Sequence, residues 1–263
     1  LFDFRQEYTE WGKVLGDIRQ SDIAVRQFRK TEKRRGFQTA NDIGLLEGLI
    51  EEAEPFPPEQ CITYRIMEDA LDFIKSAAHE PFMLYCSFPD PHFPNVICEP
   101  YHSMYNPDEI PDLPGSEIDW SGHPFKHYVQ SRACGYDAYT PQQRKQILAT
   151  YYGQVSFIDD TVGMLLSYLD QAGIADNTII VFTSDHGDFA GQYGLIGKTG
   201  GFYEPLIRIP LLMKIPAMEP SRVSANISNI DVMPTIFDLL GLQVPGFVQG
   251  RSFLRVLQQE KTS

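Results

Sequence analysis

The sequence predicts an α/β fold with a mostly parallel central sheet and helices on both of its faces. Two runs, at 81–88 and 177–182, have the apolar, aromatic and β-branched composition of buried strands. A long loop and one long helical pattern separate them, and this order favours a parallel sheet with crossover helices. A third run of this type follows at 209–215.

Composition limits the classes of function. The chain has 263 residues, 43% of them hydrophobic and 22% charged, which suits a substantial core in one large domain or two small ones. A net charge of −13 disfavours binding to nucleic acid or to anionic membranes. No apolar run has membrane-spanning length, and the opening residues are not a signal peptide, so the compartment stays undetermined. The four cysteines lack C-x-x-C spacing and are predicted to be unpaired thiols.

The clearest helix is predicted to begin after Thr140 and to end before Gly173. Thr140 and Gln143 have the spacing of a capping box, Pro141 suits the first helical position, and glycine commonly ends a helix. Apolar residues recurring every three or four positions predict the side that faces the core: Ile147, Tyr151, Val155, Ile158, Val162, Leu165 and Leu169.

Weaker patterns predict other elements around this helix. Apolar spacing favours a helix at 61–78, and a second helix is expected at 232–240 with Asp231 as its N-cap. Residues 95–139 are rich in Pro, Gly, Tyr and Asp and lack periodicity, so we interpret them as a long loop over the active-site face. Three histidines of this loop are expected on the surface: His102, His123 and His127.

A candidate metal site lies where the 177–182 strand should end. Asp185 and His186 follow the strand, and ligands of open α/β sheets bind outside the carboxyl ends of the strands. Adjacent carboxylate and imidazole groups on a turn can both reach one divalent cation. Lys198, on a predicted surface loop, can then hold an anion bound to that cation. The alternative is an Asp that caps the turn beside an unrelated surface His.

The sequence around this pair resembles the sulfatases. S-D-H-G-D at 184–188 precedes a Gly-rich loop, L-I-G-K at 195–198 and R-I-P-L at 208–211. S-F-P-D-P-H-F-P at 87–94 is also similar to a sulfatase pattern. Sulfatases belong to the alkaline-phosphatase superfamily, which also contains the phosphonate monoester hydrolases. The resemblance is dense over 64–253 and implies an alkaline-phosphatase-like α/β fold.

The resemblance also implies a role for each candidate site residue. Asp185 and His186 would ligate a divalent metal, with Ca²⁺ as the leading candidate and Mn²⁺ as the alternative. Lys198 would bind the sulfate or phosphate oxygens. His92 would contact the ester oxygen or the anion and help to protonate the leaving group. His92 and Lys198 are therefore the expected catalytic and substrate-binding residues, although from the residues alone His92 is more often an ordinary surface loop histidine.

Two features of the family are not found in this sequence. Sulfatases attack with a formylglycine made from the Cys or Ser of a C/S-x-P-x-R motif, and they carry an upstream pair of metal carboxylates. Cys61 and Arg65 have the spacing, but Thr63 stands where Pro or Ala is expected, so we interpret the match as a coincidence. We expect the chain to be the middle and later part of a catalytic domain, incomplete at its N-terminus and unable to act by itself.

The expected organisation follows from where the resemblance begins. Residues 1–54 are a poorly matched segment for which amphipathic helices are predicted at 11–28 and 43–52, and residues 55–255 are the core. The expected activity of the intact enzyme is metal-dependent hydrolysis of a small-molecule or saccharide sulfate ester. One alternative is a phosphonate or phosphate ester hydrolase on the same scaffold. Another is a non-catalytic binding relative that lacks the nucleophile. The oligomeric state is left open.

Overall fold

A computed structural model describes residues 53–54, 56–92, 95–113, 121–133, 139–198 and 201–259. The helices expected at 11–28 and 43–52 lie outside these ranges. The chain divides into two compact units. The first unit comprises Leu1–Ala175 and Gly187–Arg208, and the second comprises Asp176–His186 and Ile209–Ser263.

The described residues of the first unit are mainly helical. Their α-helices are α1 (Ile62–Ala77), α2 (Phe125–Ala133), α3 (Pro141–Gln171) and α4 (Glu204–Ile207). Helix α2 lies within the segment expected to be a loop. Short 3₁₀ helices of this unit occur at Pro58–Gln60, Pro107–Glu109 and Gln192–Gly194. A further 3₁₀ helix, Ala175–Asn177, begins with the last residue of the first segment of this unit and continues into the second unit.

The local signals of α3 are confirmed. The Thr140 hydroxyl accepts the backbone N–H of Gln143 at 3.2 Å, and the Gln143 side chain accepts the backbone N–H of Thr140 at 3.0 Å. Both arms of the capping box are therefore formed, with Pro141 as the first helical residue. Gly173 follows the helix with φ +69°, a conformation that glycine adopts without steric cost.

The buried side of α3 agrees only in part with the predicted one: Ile147 and Leu169 are buried, at 2% and 6% exposed. Val155 is 44% exposed, whereas Thr150, Gln154 and Thr161 are each 1% exposed. The apolar pattern missed these three positions because polar residues occupy part of the buried side. Thr150 and Thr161 donate their hydroxyls to carbonyls one turn earlier in α3, and Gln154 bonds side chains outside α3.

Helix α1 is present where its apolar spacing predicted a helix, and it packs against α3. Its buried residues include Ile66, Met67, Ala70 and Ile74. The chain near Tyr101 crosses α3 at Gly153, where an added Cβ would lie 2.2 Å from the Tyr101 carbonyl oxygen. Glycine is therefore required at this crossing. The core beside it contains Cys61, Ile97, Cys98, Tyr101 and Phe157.

The strand expected at 81–88 forms no ladder among the described residues. Its side chains alternate between exposed and partly buried positions, as on one face of a strand. A strand is completed by hydrogen bonds to a neighbouring segment, however, and a periodic pattern cannot supply that neighbour. This expectation is therefore wrong for the part of the chain that the structure describes.

The second unit contains a two-stranded antiparallel sheet. Strand β1 (Ile180–Thr183) pairs with β2 (Leu211–Lys214), so that Ile180 lies opposite Lys214 and Thr183 opposite Leu211. Parallel pairing requires a long crossover, usually a packed helix, whereas the longest described helix between these strands is the four-residue α4. The sequence predicted both strands and left their mutual pairing open, and this pairing is antiparallel.

Two helices complete the second unit, α5 (Asn229–Leu239) and α6 (Leu254–Gln259). Asp231 is not the N-cap of α5 but the fourth residue of a capping box whose N-cap is Ser228. Its carboxylate accepts the backbone N–H groups of Ser228 at 3.0 Å and Arg251 at 2.8 Å. Among the described helices of both units, none combines the length and apolar character needed to cross a membrane.

Candidate functional site

The turn after β1 is held by hydrogen bonds from its own unit. The Thr183 hydroxyl donates to the Pro210 carbonyl at 2.9 Å, and the Asn229 amide donates to the Ser184 carbonyl at 2.8 Å. The Ser184 hydroxyl donates to the His186 carbonyl at 2.7 Å. The predicted position of this turn at a strand end is therefore observed, and its backbone is fixed by neighbouring elements.

Asp185 and His186 converge on this turn. One carboxylate oxygen of Asp185 accepts the backbone N–H of His186 at 2.9 Å, and the other lies 3.5 Å from Nε2 of His186. When two ligand atoms bind one cation the size of Ca²⁺ with an angle of 90° between them, they lie about 3.3–3.7 Å apart. The observed separation falls in this range. The Asp185 side chain is 83% exposed and the His186 side chain is 35% exposed, so both are accessible to an ion. The pair therefore fits as two ligands of one site.

A cation of this kind normally takes more ligands than two. Within the described ranges, no group of three or more His, Cys, Asp or Glu side chains could hold a metal. The geometry thus supports a half-site, and the metal role of both residues remains a prediction.

Lys198 lies in the first unit, at the exposed end of a tightly folded loop. One carboxylate oxygen of Asp188 accepts the backbone N–H groups of Ala190 at 2.6 Å and Gly197 at 3.1 Å. The Phe189 N–H donates to the Gly197 carbonyl at 3.1 Å. Asp188 therefore fixes the backbone immediately before Lys198, a contribution that the motif alone did not show.

An aromatic cluster supports the same loop. Phe189, Leu195 and Leu206 are buried, and Tyr193 and Tyr203 pack against them. The Tyr203 ring lies 5.3 Å from the Phe189 ring. This apolar layer anchors the Lys198 loop within the first unit.

His127 is buried rather than on the surface. It is 1% exposed, and its Nδ1 lies 2.9 Å from the Tyr203 hydroxyl. Burial lowers its pKa, so the ring is neutral at pH 7. The expectation failed because the surroundings of His127 are created by Tyr203, 76 residues away.

His92 lies in a turn of the first unit, where its backbone N–H donates to the Pro89 carbonyl at 3.0 Å. Nearby, the carboxyl of Asp90 accepts the Thr63 hydroxyl and, at 3.4 Å, the Gln154 amide. Burial raises the pKa of Asp90, while these two hydrogen bonds oppose the rise. The turn before His92 is therefore anchored to both α1 and α3.

Cys61 has the properties of a structural thiol. It is 4% exposed and its sulfur donates to a Glu54 carboxylate oxygen at 3.3 Å. A hydrogen bond with Cys98, burial and the neighbouring acidic groups all raise the pKa of the Cys61 thiol. A thiolate nucleophile needs a lowered pKa, so Cys61 lacks the setting of a thiolate nucleophile. That its C-x-x-x-R spacing is a coincidence stays a prediction. Cys61, Cys86 and Cys98 are free, as predicted, while Cys134 lies outside the described residues.

Similarity to known proteins identifies the family of this chain. The Sulfatase family model matches residues 20–242. The chain belongs to the sulfatase family. It is 32% identical to the multifunctional alkaline phosphatase superfamily protein PehA of Trinickia caryophylli, over 95% of this chain and 55% of that protein. It is 29% identical to an arylsulfatase of Clostridium perfringens, over 96% of this chain and 53% of that protein.

The solved structure of a similar protein agrees with the predicted fold class. The phosphonate monoester hydrolase SpPMH of Silicibacter pomeroyi superposes with a TM-score of 0.72 at 26% identity, covering 88% of this chain and 50% of that one. The α/β, alkaline-phosphatase-like class is therefore confirmed. The chain spans about half the length of the relatives it matches. Sulfatases generally use a divalent metal, and the Asp185–His186 pair can supply ligands of the required type.

Proposed function

We propose that the full-length protein carrying this chain is a metal-dependent hydrolase of sulfate esters, with a small-molecule or saccharide ester as substrate. The observation that carries the proposal is the convergence of Asp185 and His186 at the end of β1 within a sulfatase family match. The similarity to an arylsulfatase supports sulfate as the transferred group.

Each site residue has a distinct task in this proposal. Asp185 and His186 would hold the cation, for which the resemblance to sulfatases makes Ca²⁺ the leading candidate; the Asp185 carboxylate is a ligand type that Ca²⁺ prefers. The cation supplies positive charge that stabilises the transition state. The Lys198 ammonium binds non-bridging oxygens of the anion, and His92 transfers a proton to the oxygen of the leaving group. The nucleophile would be the formylglycine of the full-length enzyme.

A second candidate is the hydrolysis of phosphonate or phosphate esters on the same scaffold. The similarities to SpPMH and to PehA favour it. Sulfate and phosphonate esters both present tetrahedral oxyanions, so the same Lys198 and cation would serve either substrate. Mn²⁺ is then the alternative metal. A non-catalytic binding protein is the outcome if neither ester is hydrolysed.

Turnover of paired esters by the full-length protein tests these alternatives. The protein is stripped with a chelator, reloaded with Ca²⁺ or Mn²⁺, and assayed with p-nitrophenyl sulfate and p-nitrophenyl phenylphosphonate. We expect a higher kcat/KM for the sulfate. A preference for the phosphonate would support the second candidate. Absence of both activities, with a folded and metal-loaded protein, would favour the binding relative.

A further inference from the structure

Gln154 lies at the centre of α3 and bonds the chain on both sides of His92. Its Oε1 accepts the Asn95 amide at 2.9 Å, and its Nε2 donates to the Asp90 carboxyl at 3.4 Å. The same Nε2 lies 3.5 Å from the Val96 carbonyl oxygen. Asp90 precedes His92 by two residues and Asn95 follows it by three. One side chain therefore holds both ends of the segment that presents His92.

The environment of Gln154 makes these bonds energetically important. Gln154 is 1% exposed and Asn95 is 6% exposed, so neither amide can replace its partner with bulk water. A buried polar group left without a partner is costly, whereas an apolar side chain of the same length would fill this place without that requirement. Methionine could fill the same space at position 154. The amide of Gln154 is therefore needed for its hydrogen bonds and not for packing.

The second anchor of the segment comes from α1. The Thr63 hydroxyl donates to the other oxygen of Asp90, and Thr63 is fully buried. Asp90 is therefore held from α1 and α3 together, whereas Asn95 is held through Gln154. Gln154 is the residue common to both ends of the segment.

We propose that Gln154 is a positioning residue for His92, acting through Asp90 and Asn95 to hold the imidazole at the leaving-group oxygen. The proposal rests on the proposed function, in which His92 protonates the leaving group. General acid catalysis requires hydrogen-bond reach to the accepting oxygen, so a small displacement of the segment weakens it.

The choice of glutamine follows from the two partners. Asp90 needs a donor and Asn95 needs an acceptor, and an amide supplies both. A glutamate at 154 would keep an acceptor for Asn95 but place a second carboxyl against Asp90. Gln154→Met removes the bonds to Asn95 and Asp90 with little change in volume, and Gln154→Glu removes the bonds that Nε2 donates to Asp90 and to the Val96 carbonyl.

The test compares leaving groups in the full-length protein. A nitrophenolate leaves without a proton, whereas an alkoxide requires one. We expect Gln154→Met to lower kcat/KM for an alkyl ester about tenfold or more beyond its effect on the nitrophenyl ester, in the same direction as His92→Ala. Adding Gln154→Met to His92→Ala should cause little further loss. Thr161→Val is the matched control, because Thr161 is equally buried on α3 and bonds only within that helix.

A second readout does not depend on activity. With histidine labelled at ¹³Cε1, the NMR signal that disappears in His92→Ala is followed in the variants. Gln154→Met should shift or broaden this signal, and Thr161→Val should not. Equal losses for both esters in Gln154→Met, or an unchanged His92 signal, would overturn the proposal. Absence of turnover in the parent protein would contradict the proposed function instead, and the NMR signal would then decide the role of Gln154.

Discussion

The Tyr203 hydroxyl and Nδ1 of His127 lie 2.9 Å apart and join the loop that follows Lys198 to helix α2. Their rings also meet edge to face, with centroids 5.1 Å apart. Both residues belong to the first unit. A buried neutral imidazole therefore replaces the surface histidine that the sequence suggested, and the helix inside the 95–139 segment has a structural function.

Removing this hydroxyl should destabilise the first unit. Tyr203→Phe leaves a buried ring nitrogen of His127 without its partner, and we expect the free energy of unfolding to fall by about 1–3 kcal/mol. Urea denaturation measures the change. Tyr152→Phe is the control, since the Tyr152 ring is 36% exposed, and should change stability by less than about 0.5 kcal/mol. A neutral result for Tyr203→Phe would show that the hydrogen bond contributes nothing net.

Substitutions of two glycines in α3 test the close approach of the Tyr101 backbone to this helix. In Gly153→Ala the new Cβ would meet the Tyr101 carbonyl oxygen, so we expect a loss of about 1–3 kcal/mol or more. At Gly163, in the same helix, an added Cβ meets nothing within 4 Å. Gly163→Ala should instead stabilise the helix by up to about 1 kcal/mol. Thermal or urea unfolding compares the two, and equal effects would contradict the crossing.

If Asp185 and His186 bind one metal ion, substitution of either residue should lower the metal content and the activity together. Asp185→Asn and His186→Ala in the full-length protein should each lower metal content, because each removes or weakens one ligand of a shared ion. Elemental analysis after gel filtration measures the metal content. His79→Ala, at an exposed position after α1, should leave it unchanged. If both site variants keep their full metal content, the assignment is wrong.

Lys198 and His92 should differ in their dependence on the leaving group. Lys198→Ala is expected to lower kcat/KM about equally for nitrophenyl and alkyl esters, because in the proposed site its charge would face oxygens that stay on the anion. His92→Ala should depress the alkyl ester more, by about 10²–10⁴-fold in total. Kinetics with both esters and both variants measure this. Equal losses in His92→Ala, together with a lower Tm, would assign His92 a packing role in its loop.

Glu54 predicts a pH-dependent stability. Burial raises the pKa of its carboxyl from 4.5 to about 7. The folded state therefore binds more protons than the unfolded state between these values, and stability falls as pH rises from about 4.5 to about 7. Above this window the contribution is constant. Its full size is about 3 kcal/mol by the linkage relation.

The matched variants isolate this contribution. The difference in unfolding free energy between the parent and Glu54→Gln should change across pH 4.5–7, because the amide does not titrate. Glu59→Gln, on an exposed side chain of the first 3₁₀ helix, should follow the parent at every pH. Parallel curves for the parent and Glu54→Gln would show that Glu54 does not titrate in this range.

The sequence determined the features that depend on neighbours along the chain. The capping box of α3 joins residues three apart, and the turn with Asp185 and His186 follows its strand directly, so local patterns were sufficient. The sulfatase motifs are of the same kind, because each is a short continuous string. These features specified the family, the α/β class and the candidate site residues.

The tertiary structure alone decided which polar residues are buried and which segments pair. Gln154 meets Asn95 59 residues away, and His127 meets Tyr203 76 residues away, so no local pattern identifies either pair. The buried side of α3 and the burial of His127 follow from those distant partners. The antiparallel pairing of β1 with β2 is also a long-range outcome, since hydrogen-bonded register depends on the neighbouring strand as well as on composition.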